Sequence, residues 1–186
     1  FSQIRYLFVA QKGKGAAIRA GWHNFPAEIY IFMDVDLSTD LAALPFLVKA
    51  IKKEGYDLAI GSRFNKNSKV KRNISRKIIS FSYNFLRKIL VKSTVSDAPC
   101  GFKAANHKIV EKILPQVKNN QWFFDSELLI LAENQNYKIK EIPVKWEDVR
   151  EKQDKSRVKI MSLSLDYFKN LIKMRKRLKK LTKKHE

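Results

Sequence analysis

The sequence predicts an α/β domain, a mostly parallel sheet with helices on its faces. Short runs rich in β-branched and aromatic residues alternate with segments of helical apolar period, and glycine-containing or polar turns separate them. The 186 residues, 45% of them hydrophobic, suffice for one ordinary domain with a buried core. Residues 4–10 (IRYLFVA) read as a short buried strand, followed by a turn over 11–15 and a helix over 16–23. Residues 28–33 read as a second strand ending at Asp34. Residues 41–53 carry Leu44, Leu47, Val48 and Ile51 at helical spacing, and residues 56–60 form a third strand. Strands that alternate with helices in this way point to a parallel sheet covered on both sides, because parallel neighbours need a crossover between them.

Residues 64–76 (FNKNSKVKRNISR) turn polar and basic and read as a mobile loop, a candidate lid, leading into a helix over 77–92. Beyond it the pattern predicts a strand over 100–105, helices over 107–117 and 126–134, and a strand over 138–146 with Ile139, Ile142 and Val144 on its apolar positions. From Leu163 onward, Leu165, Phe168, Leu171, Ile172 and Leu178 form an apolar stripe amid lysines and arginines, the pattern of a basic amphipathic helix. The expected organisation is a domain over residues 1–160 and a basic helix over 161–186, lying at a membrane surface or beside a membrane span.

Charge narrows the partners. Thirty-eight Lys and Arg against 18 Asp and Glu give a net charge of +20. A nucleic acid, an anionic membrane surface or a phosphorylated small molecule would each suit that field. No apolar run approaches the roughly 18 residues of a membrane span. One cysteine, Cys100, excludes an intrachain disulfide and a thiolate metal cluster and suits a reducing compartment. The three histidines are scattered without ligand spacing. A first residue of Phe1, with no signal-peptide pattern, leads to the expectation of a fragment.

Several motifs carry candidate chemistry. Asp34-Val35-Asp36 follows an apolar strand, and two carboxylates at the carboxyl end of a parallel strand sit where α/β sheets bind ligands. There they can hold a hard divalent cation against a diphosphate, or they can simply be a solvated turn and helix cap. Gly61-Ser62-Arg63 ends the next strand, where Arg63 has the planar fork that pairs with phosphate, although a plain turn is the alternative. Gly13-Lys14-Gly15 resembles a phosphate cradle at a helix start but lacks the Walker spacing. Asp97-Ala98-Pro99-Cys100-Gly101-Phe102-Lys103 reads as a rigid connection with a charged pair. Asp125 and Glu127 stand at the start of a helix, where they can serve as cap and dipole partner or as a functional pair. Arg150 and residues 155–159 (KSRVK) form a short cationic loop.

The order of these pieces (GKGAAIRAG, DVDLS, GSR, DAPCGFK, WFFDSELLILAE, IKEIPVKW and a basic Ser-Arg segment) resembles glycosyltransferase family 2 over about residues 4–160. Within it, the order is most similar to the polyprenyl-phosphate hexose synthases typified by dolichyl-phosphate glucose and mannose synthases. The resemblance implies a GT-A domain, Rossmann-like and nucleotide-sugar-binding. It implies Mg²⁺ or Mn²⁺ held by Asp34 and Asp36, and a nucleotide beside Lys14 and Gly15. Arg63 and Arg76 would face the phosphates of donor and acceptor, and Asp97, Cys100 and Gly101 would lie near sugar and acceptor. Asp125 and Glu127 match the family's Asp-x-Glu, with sugar positioning expected for Asp125. Arg150, Ser156 and Arg157 match an acceptor-phosphate segment, although Lys155 replaces its usual Gly and Arg157 its usual Lys. Ser38 stands where many relatives carry Gln. The family's opening strand with Pro-x-Tyr-Asn-Glu and its Asp-Asp-Gly-Ser strand are missing, so the first βαβ portion, some 50–60 residues, is expected upstream, a length in keeping with common domain sizes.

The reaction so implied is inverting transfer of a hexose from a nucleotide-sugar, UDP-glucose or GDP-mannose, to a dolichyl or undecaprenyl phosphate. The expected location is the cytoplasmic face of a membrane, peripheral or tethered, with the basic helix docking on anionic lipid. Three other readings are weighed against it: a family 2 transferase with another saccharide or lipid acceptor, an inactive homologue, and a basic nucleic-acid-binding module. No helix-turn-helix, finger or ribonucleoprotein signature supports the last.

Overall fold

A computed structural model describes residues 3–71, 74–147 and 160–182. Helix α1 (Lys14–Asn24) starts at Gly13, whose φ of 146° and whose contact with the backbone oxygen of Asn120 leave no room for a Cβ. After β1 (Ile29–Met33), the Asp40 side chain accepts from the amide of Ala42 at 2.9 Å and opens a 3₁₀ turn that runs into α2 (Leu44–Lys52). There follow β2 (Leu58–Ser62), the short β3 (Lys69–Lys71), α3 (Ile74–Val91) and β4 (Phe102–Asn106). The chain closes with α4 (Phe124–Asn134), β5 (Ile139–Pro143), β6 (Lys145–Glu147) and α5 (Ile160–Thr182).

The main sheet has the order β1-β4-β2-β5. Strands β2 and β5 pair in parallel, whereas β4 lies antiparallel between β1 and β2. Strands β1, β2 and β5 therefore share one direction, and the sheet is mixed where a mostly parallel one was expected. Inserting β4 has a consequence for the site. Phe102 pairs with Met33 and Lys103 with Ile60, so the start of β4 meets the carboxyl ends of β1 and β2.

Side chains alternate across the sheet as the pleat requires. Leu58, Ile60 and Ala105 face a core that includes Trp22, Ile109, Leu128 and Leu171, while Ala59, Phe102 and Ala104 face Leu47, Ala50 and Ile142 of the other layer. Helix α2 covers one face; α1, α4 and α5 contribute to the other. Helix α4 is buried from Phe124 to Ala132, which explains its nearly continuous apolar run. Helix α5 spends Leu171 and Met174 on the core and seats Tyr167 against the rings of Tyr83 and Phe123. Helix α3, in contrast, leaves Ile78, Phe81, Phe85 and Ile89 between 58% and 69% exposed. Among the described residues, no helix is long and apolar enough to cross a membrane.

Four local expectations are corrected. Residues 4–10 are not a buried strand: Ile4, Tyr6 and Phe8 are exposed, and no strand among the described residues supplies the ladder that would hold them. The segment read as a mobile loop contains β3, which pairs in parallel with β6; Ser68 Oγ donates to the Ser62 carbonyl at 2.6 Å and accepts from the Val144 amide at 3.1 Å. The helix over 107–117 is a π-helical turn (Ile109–Ile113) followed by a 3₁₀ turn (Leu114–Gln116), because Pro115 cannot donate to an α-helical ladder. The strand over 138–146 divides at Pro143, after which the chain leaves the main sheet for β3.

Candidate functional site

The carboxyl edge of β1 and β2 gathers residues from five parts of the chain. Asp34 directly follows β1. A Cβ on Gly101, at the start of β4, would overlap the Asp34 carboxylate, so only glycine lets the two segments come this close. Lys14, in the first turn of α1, places its Nζ 2.9 Å from Asp34 Oδ1 and 2.8 Å from Asp125 Oδ2. Asp125, in the first turn of α4, also receives Lys103 at 2.8 Å on Oδ1. Lys103 is fully buried and donates a further bond to the Cys100 carbonyl. One buried carboxylate is thus clamped by two ammonium groups, the arrangement that buried charges require.

The Lys14 ammonium lies 5.3 Å from the Phe32 ring centre and 5.9 Å from that of Trp122. Burial opposes its charge, but Asp125 and Asp34 outweigh burial and hold the Lys14 pKa above its ordinary value. Asp34 itself keeps 42% of its side chain exposed, so the cluster opens to solvent on that side.

Beside it stands a second pair. Arg63, after β2, grips Asp97 through Nε and Nη2, both at 2.7 Å, and its backbone amide adds a bond of 2.8 Å. Burial works against the guanidinium charge, yet Asp97 overrides it and raises the Arg63 pKa. The indole of Trp146 lies under Arg63 at 5.5 Å. The segment that leads into Asp97 is held by a partly buried network: Ser96 bonds to Ser62 and Glu141, and Arg87 binds Ser93 and the Val95 carbonyl while Glu133 receives the amides of Thr94 and Val95. Desolvation lowers the Arg87 pKa.

Cys100 is 1% exposed, and burial, reinforced by Asp97, pushes its thiol up to about 11. It is therefore expected to stay unmodified by a thiol reagent such as 5,5′-dithiobis(2-nitrobenzoate) at pH 7.5 in the folded protein. Denaturant should release one full equivalent; rapid titration without denaturant would contradict the burial.

The sequence-derived candidates fall into three groups. Lys14, Asp34, Gly101 and Asp125 meet at the edge just described, with Arg63, Asp97 and Cys100 alongside, while Gly15 packs against the Phe124 side chain and the Asn119 carbonyl, where a Cβ would not fit. Asp36 lies on the same turn, where its Oδ1 accepts from the Ser38 amide at 3.1 Å. Glu127 points elsewhere. Its carboxylate takes the amides of Lys118 and Asn119 at 3.0 and 2.8 Å and Arg177 of α5 at 2.7 Å, beside a cavity of about 230 Å³ under α5. It thereby ties the C-terminal helix to the loop whose Asn120 carbonyl accepts from the Ala16 amide at 3.1 Å. Arg76 falls in the first turn of α3, but its side chain, like all of Arg150, Lys155, Ser156 and Arg157, lies outside the described residues.

Sequence reasoning did not single out Trp146, and it read Lys103 as part of a charged pair within residues 97–103, whereas Lys103 pairs with Asp125 and Asp97 with Arg63. Lys103 had a usable signal, since a lysine inside an otherwise apolar central strand needs a buried carboxylate partner.

The donor set suits a hard divalent cation. Among the described residues, no group of three or more His, Cys, Asp and Glu gathers to enclose a metal. Asp34 and Asp36 offer two carboxylates at an open edge, which fits Mg²⁺ or Mn²⁺ shared with water and phosphate oxygens. Two further observations agree: the buried Ser38 Oγ beside this turn has no hydrogen-bond partner, and the Lys14 ammonium already stands on Asp34 as a cation.

Comparison with known proteins places this geometry in a family. The solved structure of glucosyl-3-phosphoglycerate synthase from Mycobacterium tuberculosis, in complex with uridine diphosphate, superposes with a TM-score of 0.67 at 16% identity, covering 90% of this chain and 57% of that one. The fold is accordingly GT-A-like. Dolichyl-phosphate beta-glucosyltransferase of Saccharomyces cerevisiae is 31% identical over 189 residues, covering 94% of this chain and 55% of that protein. Glycosyltransferase AglD of Haloferax volcanii is 33% identical over 135 residues, 73% of this chain and 22% of the relative. The chain thus spans about half the length of the yeast protein and about a fifth of the Haloferax one. The family model described as glycosyl transferase family 2 matches residues 1–114, and with more than half of its residues so matched the chain belongs to glycosyl transferase family 2.

Proposed function

We propose that this edge binds the diphosphate of a nucleotide-sugar, UDP-glucose or GDP-mannose, and that the protein transfers the hexose to a polyprenyl phosphate. The observation that carries the reading is the convergence of Asp34, Lys14 and Asp125 against Gly101, an open acidic and basic cluster at a sheet edge. The dolichyl-phosphate beta-glucosyltransferase name of the yeast relative supports the lipid-phosphate acceptor. The uridine diphosphate of the mycobacterial structure supports a nucleotide donor.

In the proposed reaction an acceptor phosphate oxygen bonds to the anomeric carbon as the bond from that carbon to the donor diphosphate oxygen breaks. The configuration inverts, and a nucleoside diphosphate leaves with the electron pair. An ionised phosphate needs no deprotonation, so the site requires no general base. This agrees with Asp125, whose two oxygens are both engaged by lysines and which serves to position Lys14. Arg63, fixed by Asp97, offers the donor phosphates Nη1, the nitrogen outside that pair. A bound Mg²⁺ or Mn²⁺ on Asp34 and Asp36 supplies neutralisation of the departing diphosphate. The acceptor phosphate is assigned to Arg76, Ser156 and Arg157, and Glu127 to holding the loop behind Lys14.

A lipid acceptor calls for docking at a membrane, which the proposal places at its cytoplasmic face. The exposed stripe of α3, Ile78, Phe81, Phe85 and Ile89, recurs at helical spacing with exposed Lys77 and Lys88 beside it, and α5 adds exposed Leu165, Phe168 and basic residues. Each apolar side chain withdrawn from water contributes about 1.5–3 kcal/mol, so Phe85→Ser with Ile89→Ser, which spares the edge-to-face contact of Phe81 with Phe64, should weaken binding to phosphatidylserine vesicles by tenfold or more. Unchanged co-sedimentation would move the docking face away from α3.

The test of the proposed function is transfer of labelled hexose from UDP-glucose and GDP-mannose to polyprenyl phosphate in liposomes, with Mg²⁺ or Mn²⁺ and a chelator control. Label in the lipid fraction, lost with Asp36→Ala, is the expected result. No transfer by the folded protein from either donor would overturn it.

A further inference from the structure

We propose that Lys14 is the resident counter-ion of the cluster, holding Asp34 against Asp125 until a divalent cation and a diphosphate arrive together, and that it thereby couples the binding of the two. The inference rests on the metal and diphosphate reading above. Its physical basis is the position of one ammonium group. Lys14 Nζ sits 2.9 Å from Asp34 Oδ1, on the carboxylate a metal ion would use, with only 13% of its side chain exposed.

A divalent cation arriving alone at Asp34 meets a carboxylate already paired with the Lys14 ammonium, and like charges at such distances repel strongly away from bulk water. Lys14 is also kept from withdrawing. Its other contact, Asp125 Oδ2 at 2.8 Å, belongs to a carboxylate 1% exposed, and the rings of Phe32 and Trp122 stand around the ammonium. Its backbone is held as well, because the Ala16 amide bonds to the Asn120 carbonyl and Gly13 lies so close to that carbonyl that no Cβ would fit.

A diphosphate changes this balance. It provides a second anion for the ammonium, so Lys14 can give up Asp34 to the metal while it keeps Asp125. Lys103, on the other oxygen of Asp125, holds that carboxylate in place throughout. The cation and the diphosphate therefore each raise the affinity for the other, as any such linkage requires.

The experiment measures free Mn²⁺ by electron paramagnetic resonance, with and without UDP and corrected for the Mn²⁺ that UDP binds in protein-free buffer, for the wild type, Lys14→Met and Lys14→Arg, each checked for folding by thermal melting. In the wild type, UDP should tighten Mn²⁺ binding by about tenfold, within the usual range of coupling between sites. Lys14→Met should bind Mn²⁺ alone about tenfold more tightly and show a smaller UDP effect, keeping only what direct contact of metal and diphosphate supplies, while Lys14→Arg, which keeps the cation, should retain the full effect. Equal Mn²⁺ affinity of Lys14→Met and wild type, with Mn²⁺-UDP binding intact in both, would overturn the role of Lys14 alone. Absence of Mn²⁺ binding in every form, with or without UDP, would overturn the metal reading and this inference together. Should Lys14→Met fail to fold, a wild type that binds Mn²⁺ equally well with and without UDP would still refute the coupling.

Discussion

Asp125→Asn is expected to destabilise the protein by about 3–5 kcal/mol, read as a fall in the urea midpoint at unchanged slope, because it strands a buried lysine without its counter-charge. Lys103 is fully buried and pairs with Asp125, whose second oxygen holds Lys14. The amide preserves shape but removes the charge and turns one acceptor oxygen into a donor facing an ammonium, so the loss reports the ion cluster and not a cavity. Lys103→Met should cost less, since Asp125 then keeps Lys14 as its partner. A change below about 1 kcal/mol for Asp125→Asn, the size of an exposed pair, would mean that the cluster is solvated.

Gly101→Ala is expected to abolish most transfer while leaving the fold largely intact. The added methyl overlaps the Asp34 carboxylate, and Asp34, with 42% of its side chain exposed, has open solvent into which to turn. Overpacking of this kind costs about 1–3 kcal/mol of stability. Displacing a positioning carboxylate by an ångström can cost about a hundredfold in rate. The comparison to make is kcat against melting temperature, and a Gly101→Ala protein with wild-type transfer would contradict the placement of Asp34.

Much of this site was legible because strand ends announce themselves. Asp34 and Asp36 follow the apolar run Ile29–Met33, and Arg63 follows Leu58–Ser62, so their place at a sheet edge followed from period and composition. The direction of β4 was not legible. FKAAN is buried on nearly every position, and a strand covered on both faces carries no alternation that tells parallel from antiparallel.

Residues 4–10 misled for a related reason: an apolar, β-branched run states a propensity, but a strand exists only where a neighbour completes its ladder. Glu127 shows the limit of spacing. Asp125 and Glu127 lie two residues apart on a helix, about 200° around its axis, so they face different surroundings, one toward Lys14 and the other toward Arg177. The terminal segment was read as a basic amphipathic helix from its apolar stripe, and that stripe could not say that Leu171 and Met174 would be spent on the core while Leu165 and Phe168, like the stripe of α3, stayed exposed.

The most direct test of the central claim is the anomalous difference map of a crystal grown with Mn²⁺ and UDP. The account predicts a manganese peak against the carboxylates of Asp34 and Asp36, with the diphosphate between the metal and Lys14. A peak at any other place, with Lys14 still bonded to Asp34, would contradict it.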